Sequence, residues 1–259
     1  MGQPPLLVFT DLDGTLLDHE TYSWDAAHPA LAQLAEIGAK VVLASSKTAA
    51  EIAPLRAAMG LGETPAIVEN GAGLLRDGRN GPIADDYARL TGVLDQLESH
   101  FPGGFQGFHQ WTAQEIANQT GLTLEAASLA ADRQFSIPGR WCGAEEDLQS
   151  FLQALAAEGV DARQGGRFLT LSFGATKADR MAEISAAFGD PPTLALGDAP
   201  NDIEMLETAN HGAIIANPAH KPLPELKGET EGRIRRSTLP GPAGWNEMVD
   251  LIVRELTLA

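Results

Sequence analysis

The stretch Phe9-Thr10-Asp11-Leu12-Asp13-Gly14-Thr15 begins at the end of an apolar run that predicts a short buried strand. Residues i and i+2 of an extended chain project to the same side, so Asp11 and Asp13 are expected to share one small volume where that strand ends. In open α/β sheets, ligands bind at the carboxyl ends of the strands. Two carboxylates about 4 Å apart repel each other by on the order of 4 kcal/mol at an effective dielectric of about 20, unless a cation or a proton intervenes. We interpret the pair as metal-bound, with an acidic turn that has no function as the alternative.

A second predicted strand, at residues 40–44, also ends in a polar loop. Ser45 and Lys47 follow this strand, and the capping box Thr48-x-x-Glu51 predicts that a helix begins directly after them. A strand end, small hydroxyl side chains and a helix amino terminus are together typical of an anion site.

Another predicted strand, at residues 193–196, leads into the loop that carries Asp198 and Asp202. Three separate strands are therefore followed by polar loops: the first and the last loop carry acids, and the middle loop carries hydroxyls and a cation. This repetition indicates one polar site that is built from several strand ends.

The alternation of strands and helices is clear in the first and last parts of the chain but is lost at residues 83–173, where Gly, Gln and aromatic residues become common. We predict an α/β fold with a Rossmann-like parallel-sheet core, residues 1–82 and 174–259, and an inserted α+β cap domain, residues 83–173. The predicted strands are 6–9, 40–44, 66–68, 163–173, 193–196 and 213–215, with an extended piece at 133–141 and a hairpin turn at 76–81. The predicted helices are 30–37, one beginning after Lys47, 87–97, 128–133, 145–158, 178–188, one ending at Thr208, and 245–256, while residues 221–242 are predicted to form a loop.

The composition excludes several classes of partner. The 259 residues carry a net charge of −17, which argues against nucleic acid and against an anionic membrane surface, because both need a positive patch. A single cysteine, Cys142, excludes a disulfide within the chain. No stretch reaches the roughly 18 apolar residues that a membrane span needs, and no signal peptide is visible, so we expect a cytoplasmic protein.

Four motifs in order resemble the haloacid-dehalogenase-like phosphatase superfamily. They are the Asp-Leu-Asp-Gly-Thr motif, the strand-end Ser45, the single downstream Lys177, and the Gly-Asp-Ala-Pro-Asn-Asp loop that ends at Asp202. The region between Ser45 and Lys177 resembles the cap of the subgroup that contains sugar phosphatases. Most similar is the mannosyl-3-phosphoglycerate phosphatase family, whose likeness covers nearly the whole chain and lies mainly in Ala44-Ser45-Ser46-Lys47-Thr48, Glu69-Asn70-Gly71-Ala72 and Gly165-Gly166-Arg167-Phe168. The chain departs from that family at Ile137, where the family tends to have Glu.

The residue types fit the chemistry that this resemblance implies. A phosphomonoester is a dianion that would repel a bare carboxylate nucleophile, and a hard cation with oxygen ligands, Mg²⁺, removes that repulsion. The resemblance implies that Asp11 attacks phosphorus and forms an aspartyl-phosphate, and that Asp13 is the general acid and base. It also implies that Ser45 and Lys177 hold the phosphoryl oxygens. The implied ligands of Mg²⁺ are Asp11, Asp13 through its backbone carbonyl, Asp198 and Asp202.

The resemblance further implies a glycosyl-3-phosphoglycerate substrate, most specifically mannosyl-3-phosphoglycerate. The carboxylate of the glycerate needs a cation, for which Arg167 or Lys47 is suitable. Arg167 is the preferred candidate, because the two glycines before it permit a close approach of the backbone. The full set of expected substrate contacts is Lys47, Asn70, Arg133, Gly166 and Arg167. Phosphatases of sucrose phosphate, glucosyl-3-phosphoglycerate or a hexose phosphate remain alternatives, as does a phosphomutase. The expected partner is a small sugar phosphate, and the protein is expected to be a monomer or a homodimer.

Overall fold

The computed structural model describes residues 3–76, 79–80, 85–165, 167–219 and 221–258. Its strands in chain order are β1 (Leu7–Thr10), β2 (Lys40–Leu43), β3 (Ala66–Val68), β4 (Gly73–Arg76), β5 (Arg79–Asn80), β6 (Phe105–Gly107), β7 (Ser136–Trp141), β8 (Asp161–Gly165), β9 (Phe168–Ser172), β10 (Thr193–Gly197), β11 (His211–Ala216) and β12 (Ile234–Pro240). Its helices are α1 (His28–Glu36), α2 (Ala49–Ala58), α3 (Asp86–Glu98), α4 (Ala113–Thr120), α5 (Leu124–Ala131), α6 (Glu145–Ala157), α7 (Lys177–Ala187), α8 (Ile203–Thr208), α9 (Lys227–Thr230) and α10 (Gly241–Leu258).

A five-stranded parallel sheet forms the centre of the fold, in the order β12-β11-β10-β1-β2. Strand β1 lies between β10 and β2, so the loops that leave these three strands emerge side by side at one edge. The predicted α/β class with a parallel-sheet core is confirmed.

Apolar side chains alternate between the two faces of β1. Leu7 and Phe9 pack into a cluster that includes residues of α7 and α8. Leu6 and Val8 face the opposite way, into a cluster with residues of α1, α2 and α10. Burying each such side chain contributes about 1.5–3 kcal/mol. Because both faces are covered, the sheet is held firmly and its loops leave from fixed points.

A second sheet of four antiparallel strands, in the order β6-β7-β9-β8, comes from the middle of the chain. Its own apolar cluster includes Leu90 of α3, Ile137 of β7 and Phe151 of α6. A smaller cluster joins Ile116 of α4 to Ala127 of α5. The additional antiparallel sheet agrees with the predicted α+β insertion, whereas the exact boundaries at 82/83 and 173/174 stay a prediction.

Several predicted elements differ from the structure. The prediction of one strand at 163–173 is wrong, because β8 and β9 form a hairpin there. The loop predicted at 221–242 contains α9 and β12, and β12 lacks an apolar run because it is an edge strand with Ile234 as its buried residue. The helix predicted at 128–133 is α5, which begins four residues earlier, and α4 and β6 were not predicted. Of the hairpin predicted at 76–81, β4 pairs with β5, while residues 77–78 and 81 lie outside the described residues.

Within the described residues, no helix is both long and apolar enough to cross a membrane.

Candidate active site

The catalytic candidates lie at the carboxyl edge of the parallel sheet. Backbone hydrogen bonds bring the first residues after β1 and β2 into register: the Asp11 amide donates to the Leu196 carbonyl at 2.9 Å, and the Ala44 amide donates to the Thr10 carbonyl at 2.8 Å. The loops that carry Asp11, Ser45 and Asp198 are therefore neighbours from their first residue.

Lys177, the first residue of α7, joins two of these acids. Its Nζ lies 2.7 Å from Asp11 Oδ1 and 2.7 Å from Asp202 Oδ1, and the residue is only 2% exposed. Burial lowers the pKa of the Lys177 ammonium, but the charges of Asp11 and Asp202 outweigh burial and raise that pKa above its ordinary value. Lys177 is therefore a fixed positive charge at the centre of the site.

The environment of Asp11 is unusual for a carboxylate. Burial raises its pKa most, Lys177 lowers it, and the nearby charges of Asp202 and Asp198 raise it again, giving a pKa of about 8. In the absence of a bound cation, the charged form of Asp11 is therefore destabilised in spite of its ion pair.

Asp11, Asp198 and Asp202 form a group that can hold a metal ion. One carboxylate oxygen of each lies within 4.8 Å of the others, and all three residues are buried. The buried site holds these three acids and the ammonium of Lys177, so a bound divalent cation would balance the remaining charge. A set of oxygen donors is the ligand type of hard cations such as Mg²⁺. The donor set therefore fits the cation that the sequence implies.

Two residues that were not predicted as site residues hold Asp198 in place. Thr15 Oγ1 donates to Asp198 Oδ1 at 2.8 Å, and Asn217 Nδ2 donates to Asp198 Oδ2 at 2.8 Å. Gly14 lies close beneath them in a left-handed conformation with φ +82°, and a Cβ there would overlap the Asn217 amide. Asn217 directly follows β11 in the chain, and this strand-end position was the one sequence signal that could have indicated it.

Asp13, expected to share one small volume with Asp11, is not part of the buried acid group and pairs with Lys47. Asp13 Oδ1 lies 3.0 Å from Lys47 Nζ, and the ring of Tyr22 lies 5.4 Å from the same ammonium. Burial lowers the pKa of Lys47, but Asp13 and Glu51 raise it more. The side chain of Asp13 is 37% exposed, so it lies on the solvent side of the site.

The helix amino terminus predicted after Lys47 is confirmed. Thr48 and Glu51 form the capping box of α2, with the Thr48 amide 2.8 Å from Glu51 Oε2 and the Glu51 amide 3.2 Å from Thr48 Oγ1. Ser45 is buried just before it, and its Oγ accepts the Lys47 amide at 3.2 Å. The anion site that is predicted from the Ser45 hydroxyl and the start of α2 therefore lies next to the carboxylates of the site.

The predicted substrate contacts fall into different places. Asn70 lies at the site, where its Oδ1 accepts a hydrogen bond from Asn201 Nδ2 at 3.0 Å. Arg133 is buried among protein groups, with its side chain 6% exposed and 3.4 Å from Glu69. Arg167 donates to the carbonyls of Gln119 and Thr120 at the end of α4, at 3.0 and 3.2 Å.

Ile137 lies in β7 of the second sheet, and Arg167 directly precedes β9 of the same sheet. Arg167 also lines a cleft of about 450 Å³ that includes Trp141 and Leu148, residues remote from the catalytic loops in the chain. Ile137 is fully buried in the apolar cluster of this sheet. Ile137 is therefore a packing residue, and a carboxylate at this buried position would have no direct access to a ligand. Gly166 lies outside the described residues.

Solved structures with this fold match almost the whole length of the chain. A sucrose-phosphatase from Synechocystis sp., solved with sucrose and phosphate, shares 18% identity at a TM-score of 0.64, covering 98% of each chain. A haloacid dehalogenase-like hydrolase from B. subtilis shares 22% identity at a TM-score of 0.61, covering 94% of this chain and 98% of that one. A phosphatase of the haloalkanoate enzyme superfamily from Bacteroides thetaiotaomicron shares 18% identity at a TM-score of 0.66, covering 98% of this chain and 95% of that one. At these identities the likeness shows the fold.

The sequence itself matches a family model. The model for haloacid dehalogenase-like hydrolases matches residues 8–98 and 142–225, which are together more than half of the chain. The matched segments contain the loops of Asp11, Ser45, Lys177 and Asp198. The chain therefore belongs to the haloacid dehalogenase-like hydrolases.

Proposed function

We propose that this hydrolase is a Mg²⁺-dependent phosphatase that cleaves a phosphomonoester through an aspartyl-phosphate on Asp11. The observation that carries the proposal is the buried Asp11 carboxylate, held by Lys177 and flanked by Asp198 and Asp202. Such an arrangement is costly for a fold to maintain without a bound cation and an anionic ligand.

In the first step, Asp11 attacks phosphorus. Its Oδ1 is held by Lys177, whereas Oδ2 accepts no hydrogen bond from the described residues and is the oxygen offered to the substrate. As the new oxygen–phosphorus bond forms, the bond between phosphorus and the leaving oxygen breaks, and the carboxyl proton of Asp13 passes to that oxygen. The partly exposed position of Asp13 suits this task, because the leaving group extends toward solvent.

In the second step, the same two residues release phosphate. The Asp13 carboxylate takes a proton from a water molecule whose oxygen attacks phosphorus, and the bond to Asp11 breaks. Lys177 and the Ser45 hydroxyl hold phosphoryl oxygens in both steps, and the Lys177 charge offsets the negative charge that develops on them.

Asp11, Asp198 and Asp202 would hold the Mg²⁺, together with the backbone carbonyl of Asp13. When bound, the ion would neutralise negative charge on the carboxylates and on the substrate phosphate, which would otherwise repel each other. Thr15 and Asn217 keep the Asp198 carboxylate oriented toward that position.

A glycosyl-3-phosphoglycerate, mannosyl-3-phosphoglycerate in particular, is the substrate we propose. The support is the sequence resemblance, together with Lys47 beside Asp13, where a cation can meet the carboxylate of the leaving group. The alternative substrates are sucrose phosphate, glucosyl-3-phosphoglycerate and a hexose phosphate. One of the structural relatives is a sucrose-phosphatase.

A panel of phosphate esters tests both levels of the proposal. With Mg²⁺ present, we expect phosphate release from a generic aryl phosphate and a much higher kcat/KM for mannosyl-3-phosphoglycerate. Highest activity on sucrose phosphate or a hexose phosphate would contradict the substrate but keep the phosphatase. No phosphate release from any ester would contradict the phosphatase.

Two variants compare the candidate anchors for the glycerate carboxylate. Lys47 lies beside the reacting groups, whereas the Arg167 guanidinium is bonded to the end of α4. We expect Lys47→Ala to raise KM for the glycosyl-phosphoglycerate more than Arg167→Ala does. A larger KM effect of Arg167→Ala on this substrate, with none on an aryl phosphate, would assign the anchor to Arg167 instead.

A further inference from the structure

Glu69 and Asn70, directly after β3, have an uncommon backbone conformation. Their φ angles are 51° and 59°, in the left-handed region that residues other than glycine rarely adopt. Such residues persist only where the surrounding structure imposes the conformation, and they cluster at functional sites. Glu69 is also 2% exposed, an unusual position for an acid.

The Glu69 carboxylate binds one short segment of the chain, residues 133–136. Its Oε1 accepts the amide of Gln134 at 2.9 Å, and its Oε2 accepts the amide of Phe135 at 3.2 Å and the hydroxyl of Ser136 at 2.7 Å. Arg133 Nε lies 3.4 Å from Oε2. The segment where the chain enters β7 is therefore fastened to the end of β3.

Glu69, Asn70 and Arg133 together bind three consecutive backbone carbonyls of the active-site loop. The Asn70 amide donates to the Ser45 carbonyl at 2.9 Å, and the Glu69 amide donates to the Lys47 carbonyl at 2.9 Å. Between them, Arg133 Nη2 donates to the Ser46 carbonyl at 3.3 Å. Glu69 thus contributes to the position of this loop directly through its amide and indirectly through Arg133.

We propose that Glu69 and Arg133 are positioning residues that hold the Ser45–Lys47 loop in its working geometry. The Nε and Nη2 groups of Arg133 are used by Ser136, Ser46 and Glu69, so this side of the guanidinium contacts protein groups. A buried ion pair contributes little net stability, since desolvation offsets the attraction, so a contribution to geometry is the better account of it. The inference rests on the proposed function, in which Ser45 and Lys47 act on the substrate.

The test compares two Glu-to-Gln variants by kinetics on an aryl phosphate. Glu69→Gln removes the ion pair with little change of shape. Glu229→Gln, the control, removes a charge in α9 that pairs with Arg236 and accepts the amide of Leu226, the residue before that helix. We expect Glu69→Gln to lower kcat/KM by at least about tenfold, because small displacements of catalytic groups are costly, and the control to stay within about twofold.

A double-variant cycle separates positioning from general structural damage. If Glu69 acts through the loop of Ser45, which holds the phosphoryl oxygens of an aryl phosphate, Glu69→Gln added to Ser45→Ala should lower kcat/KM by no more than about twofold further. Fully multiplicative losses would overturn the proposal, as would unchanged activity of Glu69→Gln. If Glu69→Gln does not fold, Ser136→Ala, which removes one hydroxyl from the carboxylate, replaces it in the same cycle with the same outcomes.

Amide hydrogen exchange tests the geometry without any assay of activity. We expect faster exchange at residues 45–48 and 134–135 in Glu69→Gln but not in Glu229→Gln. Unchanged exchange at 45–48 would overturn the positioning role even in an active enzyme. Faster exchange in a protein that releases no phosphate from any ester would support the loop contact and contradict the proposed function alone.

Discussion

At the scale of single residues, the position of Lys177 depends on Gly71. Gly71 has φ +96°, and a Cβ on it would overlap the carbonyl carbon of Thr176 and the backbone nitrogen of Lys177. The loop after β3 and the start of α7 therefore touch backbone to backbone. No flexible side chain is available there to move aside.

We expect Gly71→Ala to lower the free energy of unfolding by roughly 2–4 kcal/mol, the sum of left-handed strain and overpacking. Phosphate release should fall more than tenfold, because the new methyl displaces Lys177 from Asp11. Urea unfolding and an aryl phosphate assay measure the two effects. The control is Gly92→Ala in α3, where a Cβ meets nothing within 4 Å. Equal stability and activity of the two variants would contradict this account of Gly71.

The sequence predicted the acids of the site but not the groups that orient them. The spacing of Asp11 and Asp13 predicted that both acids follow one strand. It did not predict that Asp11 joins the buried acids whereas Asp13 pairs with Lys47. Asn217 and Asp198 come from different strands, and their hydrogen bond depends on the order of β10 and β11 in the sheet. The partners of Arg133 were unpredictable for the same reason, because Glu69 is distant in the chain.

At the scale of elements, α7 positions its first residue by a capping box. Thr176 Oγ1 accepts the Asp179 amide at 3.2 Å, and the Thr176 amide donates to Asp179 Oδ2 at 2.9 Å. Because Lys177 is the next residue, the cap sets the point from which its side chain reaches Asp11. Helix α4 begins with the same device, Thr112 and Glu115, but carries no proposed catalytic residue.

Thr176→Ala and Thr112→Ala should each cost about 1 kcal/mol of stability, the usual loss for an amino-terminal cap. Only Thr176→Ala should also lower kcat on an aryl phosphate, by roughly three- to tenfold, because its loss frays the turn that carries Lys177. Thermal unfolding and steady-state kinetics of both variants check this. A similar kcat in the two variants would show that the cap of α7 is structural only.

Elements with a strong apolar pattern were predictable, and those without one were not. The core strand β10, with every residue buried, was predicted to within a residue. Strand β12 was missed because an edge strand needs no continuous apolar run, and the β8–β9 hairpin was predicted as one strand because its exposed residues carry no alternating pattern. Tertiary pairing, not local preference, decides such segments.

At the scale of the whole molecule, the stability of the metal-free protein is coupled to pH through Asp11. Its pKa is about 8 in the folded protein, above the ordinary value of 3.8. Between these two values the folded state holds a proton that the unfolded chain has released. The contribution of Asp11 to the free energy of unfolding is therefore full below pH 3.8 and is lost as the pH rises through about 8.

In chelator, we expect Tm to fall by roughly 4 °C or more between about pH 6 and 9, since 1 kcal/mol shifts Tm by about 2–4 °C in a chain of this size. Saturating Mg²⁺ should remove most of this fall, because the cation stabilises the charged carboxylates, and it should raise Tm at the higher pH. In chelator, Asp11→Asn should show a shallower pH dependence than the wild type. Identical slopes in the two proteins would contradict the assignment to Asp11.

Phosphate release by Asp11→Asn tests most directly whether Asp11 is the nucleophile of a phosphatase. The control is Asp190→Asn, an equal change of charge at a residue with φ 54°, a conformation that Asn tolerates. With Mg²⁺ and an aryl phosphate, we expect Asp190→Asn to match the wild type and Asp11→Asn to lose at least about 1,000-fold in kcat while it remains folded. Phosphate release by Asp11→Asn within about tenfold of the wild-type rate would contradict the account.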